Sequence, residues 1–541
     1  MAHPAQRRWY PIAFAVALLV LLPLSVLMFS WHEVDQQIWA HLWQTQLPRL
    51  LGNTLVLVLG VGVGVTLLGV SLAWLTSLCE FPGRRWLDWA LMLPFAIPAY
   101  VLAFVFVGLL DFAGPLQTLL RDWFGSDLRL PRVRSTGGVI IVLVLVFYPY
   151  VYLLARNAFL ERSSGMLEAA RTLGQGPWQV FWRVSLPLAR PAIAAGVALV
   201  LMETLADYGT VAYFGVDTFT TGIYRAWFSL GDRTAAAQLA TLLLGFVVLL
   251  LLIERHSRGR ASYHNTTGRN RPMPGQRLQG GRAWLAALWC LLPLLLGFLL
   301  PAGLLLRMAW AQGIGEFGSR FFHLAGNSLT LALLTAALAV GLALLLAYAA
   351  RLSRTWLARG LNRLVGLGYA VPGSVIAVGV LIPVTRLDHW LAAGWQQLFG
   401  HNPGLLLTGG IAALVYAYLV RFLSAALQTV EGSLGKITPS MDDAARSLGS
   451  GQFAVLRRVH LPILRGSLFT AGLLVFVDVM KELPATLVMR PFNFDTLATQ
   501  TYNLASDERL AEASSAALAI VVVGLLPLIL LSRQIARGRK V

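Results

Sequence analysis

The sequence predicts an all-α polytopic membrane protein, with about twelve transmembrane helices arranged as two parallel six-helix repeats. Three observations carry this prediction. Hydrophobic residues make up 57% of the 541 and charged residues only 13%, with a mean hydropathy of +0.68, whereas soluble domains carry about 25% charge. Apolar runs of the roughly 20 residues needed to cross a bilayer recur from end to end. Landmarks of the first half also reappear in the second in the same order.

Twelve spans are placed near 11–30, 54–79, 86–110, 138–160, 191–214, 236–253, 284–309, 328–350, 364–383, 405–427, 466–489 and 514–532. The first follows Arg7 and Arg8, is too long for a signal-peptide core and is not followed by a small-residue cleavage pattern, so it reads as a retained span. A net charge of +18 would suggest nucleic acid in a soluble protein. Here the basic residues read as topology signals. With both termini cytoplasmic, 30 of the 43 Lys and Arg fall inside, and Arg121, Arg129, Arg132 and Arg134 form one dissenting outer cluster. The placement expected is a bacterial inner membrane, with the bilayer as a partner and no nucleic acid. Two cysteines, Cys79 and Cys290, each flanked by apolar residues, make no disulfide or zinc framework.

The repeat is explicit. Gly52-Asn53-Thr54-Leu55 matches Gly326-Asn327-Ser328-Leu329, and FAIPAYVLAF around Pro98 matches YAVPGSVIAV around Pro372, both at an offset of 274. EAARTLGQGPWQVFWRVSLP at 168–187 matches DAARSLGSGQFAVLRRVHLP at 443–462, with 11 identities in 20 positions, and DTFTTGIY (217–224) matches DTLATQTY (495–502). Six spans per half is an even number, so both halves enter from the same side and the duplication is parallel. The organisation follows: 1–48 a first span and outer loop, 49–253 the first repeat, 254–283 a polar Gly/Pro/Arg-rich linker, 284–324 a seventh span and loop, 325–532 the second repeat and 533–541 a tail.

The duplicated cytoplasmic stretch predicts two short helices. Ser163 or Ser164 caps a helix to Leu173, Gly174 is its C′ residue, and a second helix entered at Gly176-Pro177 stops before Pro187. A single such segment could lie in the headgroup layer. Two symmetric copies suit the docking of two copies of a partner, with apolar side chains seated in its groove.

These residues resemble the cytoplasmic signature of the membrane subunits of binding-protein-dependent ABC importers, of the MetI-like type I fold. Glu168-Ala169-Ala170, Gly174, Leu186 and Pro187 fit it in the first half; Asp443-Ala444-Ala445, Gly449, Leu461 and Pro462 fit it in the second, with Asp for Glu. The resemblance implies that both segments are coupling helices seated in two copies of a cytoplasmic ABC ATPase, and that a periplasmic binding protein delivers the solute. The fused layout and the wording VDVMKELPATLVMRPFNFDTLATQTYNLASDERL resemble ferric-iron permeases most, with thiamine or another small solute as the alternative.

The chain itself is not expected to be an enzyme or to hold a cofactor. The nearest approach to a phosphate-binding loop, EGSLGKI at 431–437, has Val430 where the first glycine belongs and Ile437 where Ser or Thr would hold magnesium. ATP-Mg therefore belongs to the partner subunits. Ionisable residues within spans are candidates for the pathway or its gate: Glu203, Asp207 and Tyr208 near the fifth span, Asp478, Lys481 and Glu482 near the eleventh, each set on one helix face. Carboxylate and phenolate oxygens suit a hard cation, although conduction excludes a stable metal site. Asp478 and Lys481 equally suit a structural pair. Pro94 and Pro98, with Pro372, are expected to kink the third and ninth spans. An ion-gradient-driven carrier is the remaining alternative, and the paired docking segments distinguish it.

Overall fold

The computed structural model describes residues 9–32, 34, 36–125, 131–160, 174, 176–258, 276–313, 318–353, 356–435 and 437–538. It is all-α, apart from a two-residue parallel pairing of Cys79–Glu80 with Gln276–Arg277. Twelve helical segments are long and apolar enough to cross a membrane: α1 Phe14–His32, α2 Leu47–Leu78, α3 Ala99–Phe124, α4 Thr136–Leu160, α5 Trp178–Ala206, α6 Arg233–His256, α7 Gly281–Gln312, α8 Ser319–Leu352, α9 Gly373–Phe399, α10 Ala412–Leu434, α11 Gln452–Met480 and α12 Leu510–Ile529.

The prolines account for the largest differences from the expected spans. Pro98 and Pro372 do not kink helices. Each stands at the N-cap with ψ near 140°, preceded by a 3-10 turn, Leu93–Ala96 or Gly368–Ala370, and α3 and α9 begin at the next residue. Proline's missing N–H leaves nothing unpaired at a helix start, so the chain breaks there and α9 extends to Phe399. Pro94 lies within the first of these turns. α6 runs to His256, and Gln276–Arg277 pairs with Cys79–Glu80 at the end of α2.

Two compact units cut across the sequence repeat. One holds 1–40, 222–244 and 317–500, the other 41–221, 245–316 and 501–541. The first unit therefore places α1 with α8–α11, and the second places α7 and α12 with α2–α5. Within the first, Pro23 inside α1 leaves the Leu19 carbonyl without its intrahelical donor, and the Tyr416 hydroxyl of α10 donates to it at 2.5 Å. A bilayer offers no water for such a carbonyl, so a neighbouring helix must satisfy it. Within the second unit, Gly60 and Gly64 face α4 so closely that a Cβ on either would lie 2.5 Å from Ile140 or Val144. Small residues four apart permit this approach of backbones.

The repeat extends to individual hydrogen bonds. The Asn53 amide donates to the Asp217 carbonyl at 2.8 Å and the Asn327 amide to the Asp495 carbonyl at 2.9 Å. Thr221 and Thr499 each cap a short helix by accepting from the backbone N–H three residues earlier, at Thr218 and Thr496. Two of the landmarks recognised in the sequence, at Asn53 and Asn327 and at Asp217 and Asp495, are thus the contacts that tie the loop after each half's fifth span to its second span.

Candidate functional site: the repeated elbows

The second copy of the repeated segment is described except at Lys436. A helix at Pro439–Ser447 carries Asp443, Ala444 and Ala445; Gly449, at φ +80°, reverses the chain, and Gln452 opens α11. The Leu448 N–H returns to the Ala444 carbonyl and the Ser450 N–H to that of Ala445, closing the helix end around the left-handed glycine. Asp443 and Ala444 are exposed and Ala445 is half-buried. Leu448 at 86% and Phe453 at 69% present bare apolar surface beside them.

In the first copy, residues 161–173 lie outside the described residues, and with them Glu168, Ala169 and Ala170. Gly174 has φ +75°, matching Gly449, and Trp178 and Trp182 are exposed where Phe453 and Arg457 stand in the second copy.

The second short helix does not stop before Pro187 or Pro462. In both copies it runs through one π turn, Phe181–Ser185 or Leu456–His460, directly into the long helix, at an offset of 275. Proline's ring clashes with the carbonyl four residues back and supplies no N–H to it, and the wider turn relieves both problems. Leu186 and Leu461 are half-buried and Pro187 and Pro462 exposed, one residue beyond the turn or two. Each elbow is therefore continuous with a spanning helix, which gives it mechanical purchase on the bundle.

What holds the second elbow is a charged knot that the motif does not reveal. Asp442, next to the motif residue Asp443 but turned inward, accepts from Arg351 Nε at 2.9 Å and lies 2.6 Å from His460 Nε2. Arg351, at the end of α8, also donates to the Leu434 carbonyl of α10 and the Ile437 carbonyl. Tyr348, one turn earlier, donates to the Gln452 carbonyl. Two spanning helices, α8 and α10, and the Pro439–Ser447 helix thus meet at one guanidinium, and α11 joins them through His460 and Gln452. Burial pushes the Asp442 carboxyl up, but the hydrogen bonds from Arg351 and His460 outweigh it and hold the group below its ordinary range. Neighbouring helical residues project about 100° apart, so only one aspartate of the pair could share the exposed face. That was the available signal; the partners, 91 and 18 residues away, gave none.

The first half contains a buried knot of its own. Arg156 forms a two-pronged pair with Asp88, at 2.5 and 2.8 Å, both nearly inaccessible, and Tyr152 donates to the Asp88 carbonyl. At the repeat-related positions Asn362 donates to Glu431 at 2.5 Å. The location is repeated with its chemistry changed.

The intramembrane candidates are arranged differently from the sequence expectation of shared helix faces. α5 ends at Ala206, and Asp207 is extended, with ψ 131°. Its carboxylate caps the short helix Gly209–Tyr213, accepting from the Thr210 and Val211 N–H groups and the Thr210 hydroxyl. Likewise α11 ends at Met480, and Glu482 caps Pro484–Met489 through Ala485 N–H, Thr486 N–H and the Thr486 hydroxyl. Glu482 also pairs with Arg421 at 3.3 Å, and Asp478 pairs with Lys481 at 3.4 Å. Tyr208 is hydrogen-bonded to Tyr502, their rings 5.9 Å apart, and Phe104 joins Tyr502 to Tyr213. Glu203 stays on α5, at the position that Asp478 takes on α11. Among the described residues no group of three or more His, Cys, Asp or Glu could hold a metal ion.

Twelve spans written as two repeats, the fifth helix of each entered through a π turn, are the layout of the membrane component of a transporter. The family model for the inner membrane component of binding-protein-dependent transport systems matches residues 65–258 and 339–540, and the chain belongs to that family. It is a non-catalytic, multi-pass inner-membrane permease subunit of an ABC importer, with ATP hydrolysed on separate subunits. Membership removes the gradient-driven carrier. Among its relatives, a Fe(3+)-transport system permease protein of Haemophilus influenzae is 28% identical over 91% of this chain and 91% of its own. A putative ferric transport system permease protein of the same organism is 24% identical over 84% of this chain and 72% of its own. The molybdenum transport system permease protein of Escherichia coli is 29% identical over 40% of this chain and 96% of its own.

Proposed function

We propose that the chain forms the complete inner-membrane path of a ferric-iron importer, with both termini cytoplasmic. Two copies of an ABC ATPase dock on the elbows through Glu168, Ala169, Ala170, Gly174, Leu186 and Pro187 and through Asp443, Ala444, Ala445, Gly449, Leu461 and Pro462. The observation that carries the substrate reading is the full-length match, across both repeats, to Fe(3+)-transport permeases. Relatives for molybdenum cover one half only. They support a second reading, in which another small solute such as an oxyanion crosses, and thiamine belongs with that alternative.

ATP-driven approach of the two ATPases would draw the elbows together. Because each elbow is continuous with α5 or α11, the movement reaches Asp207 and Glu482, where these helices stop and short capped helices begin. These carboxylates are gate residues held by backbone N–H groups rather than free ligands, which suits conduction, since an ion bound tightly would not leave. Tyr208, with Tyr502, offers phenol oxygens to a passing hard cation. Pro98 and Pro372 act as rigid helix starts beside this region, and Glu203, Asp478 and Lys481 line the ends of α5 and α11. The sequence division at 49–253 and 325–532 then marks two functional halves, each answering to one ATPase. The test is radiolabelled ferric uptake into proteoliposomes holding this chain with its ATPase and binding protein. ATP-dependent uptake resistant to excess molybdate and thiamine supports iron, and uptake of either competitor in its place overturns it.

A further inference from the structure

At the end of the bundle where α1 finishes and α6 begins, the first compact unit contains a cavity of about 480 Å³ between these helices and α9. Its polar lining is basic: Arg233 at the start of α6, Arg386 and His389 on α9, with the hydroxyls of Thr234 and Thr385. Among the described residues neither guanidinium forms an ion pair. The nearest acids in sequence are occupied elsewhere. Asp232 caps α6 through the Ala235 N–H at 2.9 Å, and buried Asp388 accepts from the Leu406, Leu407 and Thr408 N–H groups and the Thr408 hydroxyl. Arg233 also lies over the Trp227 ring, and among the described residues two permanent positive charges therefore line one cavity without an ion-pair partner.

We propose that this cavity binds a phosphate-class anion, either the headgroup phosphate of an anionic phospholipid or free inorganic phosphate. Guanidinium groups match phosphate oxygens two at a time and lose little hydration in doing so, and two threonine hydroxyls add donors. The volume falls within the range of small-ligand sites, about 300–1,000 Å³. The surroundings belong to a membrane boundary: Phe29 is 67% exposed and Trp390 71% exposed, and aromatic rings favour the headgroup level. Arg233 and Arg386 do not take part in the elbows or in the caps at Asp207 and Glu482, so this site is independent of the transport reading.

The test uses the full chain in phosphatidylcholine nanodiscs doped with a photoactivatable phosphatidylglycerol, with cross-linked peptides mapped by mass spectrometry. Arg233→Gln with Arg386→Gln should lower the yield on α6 and α9 about tenfold, as loss of charge-assisted contacts implies, while Arg132→Gln leaves it unchanged. Unchanged elution and thermal midpoint show that the double variant is folded; should it not fold, the wild-type protein in the competition arms decides. Yield that survives excess inorganic phosphate identifies the lipid as the source, and yield abolished by phosphate identifies the free anion. The proposal is overturned if photoactivatable phosphatidylcholine labels α6 and α9 equally well, or if the folded double variant labels like wild type.

Discussion

Among single residues, the strongest claims concern charges taken out of water. Arg156 and Asp88 are each about 5% exposed, and removing one member of such a pair leaves the other uncompensated, at a cost of about 3–5 kcal/mol. Arg156→Leu should therefore lower the thermal midpoint of the detergent-solubilised protein markedly, and Asp88→Leu with Arg156→Leu should recover much of the loss. Additive losses would show that the two do not act as a pair. Asp442 gives a prediction in pH. Its carboxyl is held below the ordinary value of 3.8, so the anchor's contribution is full above that value and disappears only as pH falls through the lower folded-state value. Protease access to the second elbow should be constant from neutral pH down to mild acid and rise only below about pH 4. Release already at mild acidity would contradict this. The sequence exposed the outward Asp443 because it belongs to a motif, while Asp442 owes its role to Arg351 and His460, which only folding brings near.

Elements break or bend where their backbone chemistry requires it. Gly449 must hold φ +80° to close the docking helix, and a Cβ in that region costs about 1–2 kcal/mol. Gly449→Ala should weaken ATPase binding in a pull-down without reducing insertion; undiminished binding would show that the elbow's shape is immaterial. Gly373, the first residue of α9, faces the Arg421–Glu482 pair, and an added Cβ would lie 2.7 Å from the glutamate oxygen and 2.8 Å from the guanidinium. Gly373→Ala should lower uptake and stability together, whereas Gly394→Ala, with open space around it, should alter neither. Helix identity was legible because twelve apolar runs are hard to mistake. Helix ends were not, for proline is compatible with a kink, a start or a π turn. Pro98 and Pro372 are starts, Pro187 and Pro462 follow π turns, and Pro23 sits mid-helix because Tyr416 satisfies the freed carbonyl.

For the whole molecule, the duplication was plain in the sequence and its consequences less so. Asn53 and Asn327, matched as letters, make the same hydrogen bond to Asp217 and Asp495. The grouping of α1 with α8–α11, and of α7 with α2–α5, could not be read from repeats, since a repeat reports ancestry and not packing. Both halves are coupled to their elbows by one device, a π turn, yet are braced by different chemistry: Arg351, Asp442 and His460 in the second, Trp74 against Phe181 in the first. The central claim is that these elbows transmit ATPase closure to the bundle. Its most direct measurement is nucleotide-dependent cross-linking of the assembled complex in membranes, from single cysteines replacing Leu448 and Gln175. Both positions should link to the ATPase, with yields that change when ATP is bound. Labelling by lipid-phase probes in place of the ATPase, or yields indifferent to nucleotide, would contradict the account.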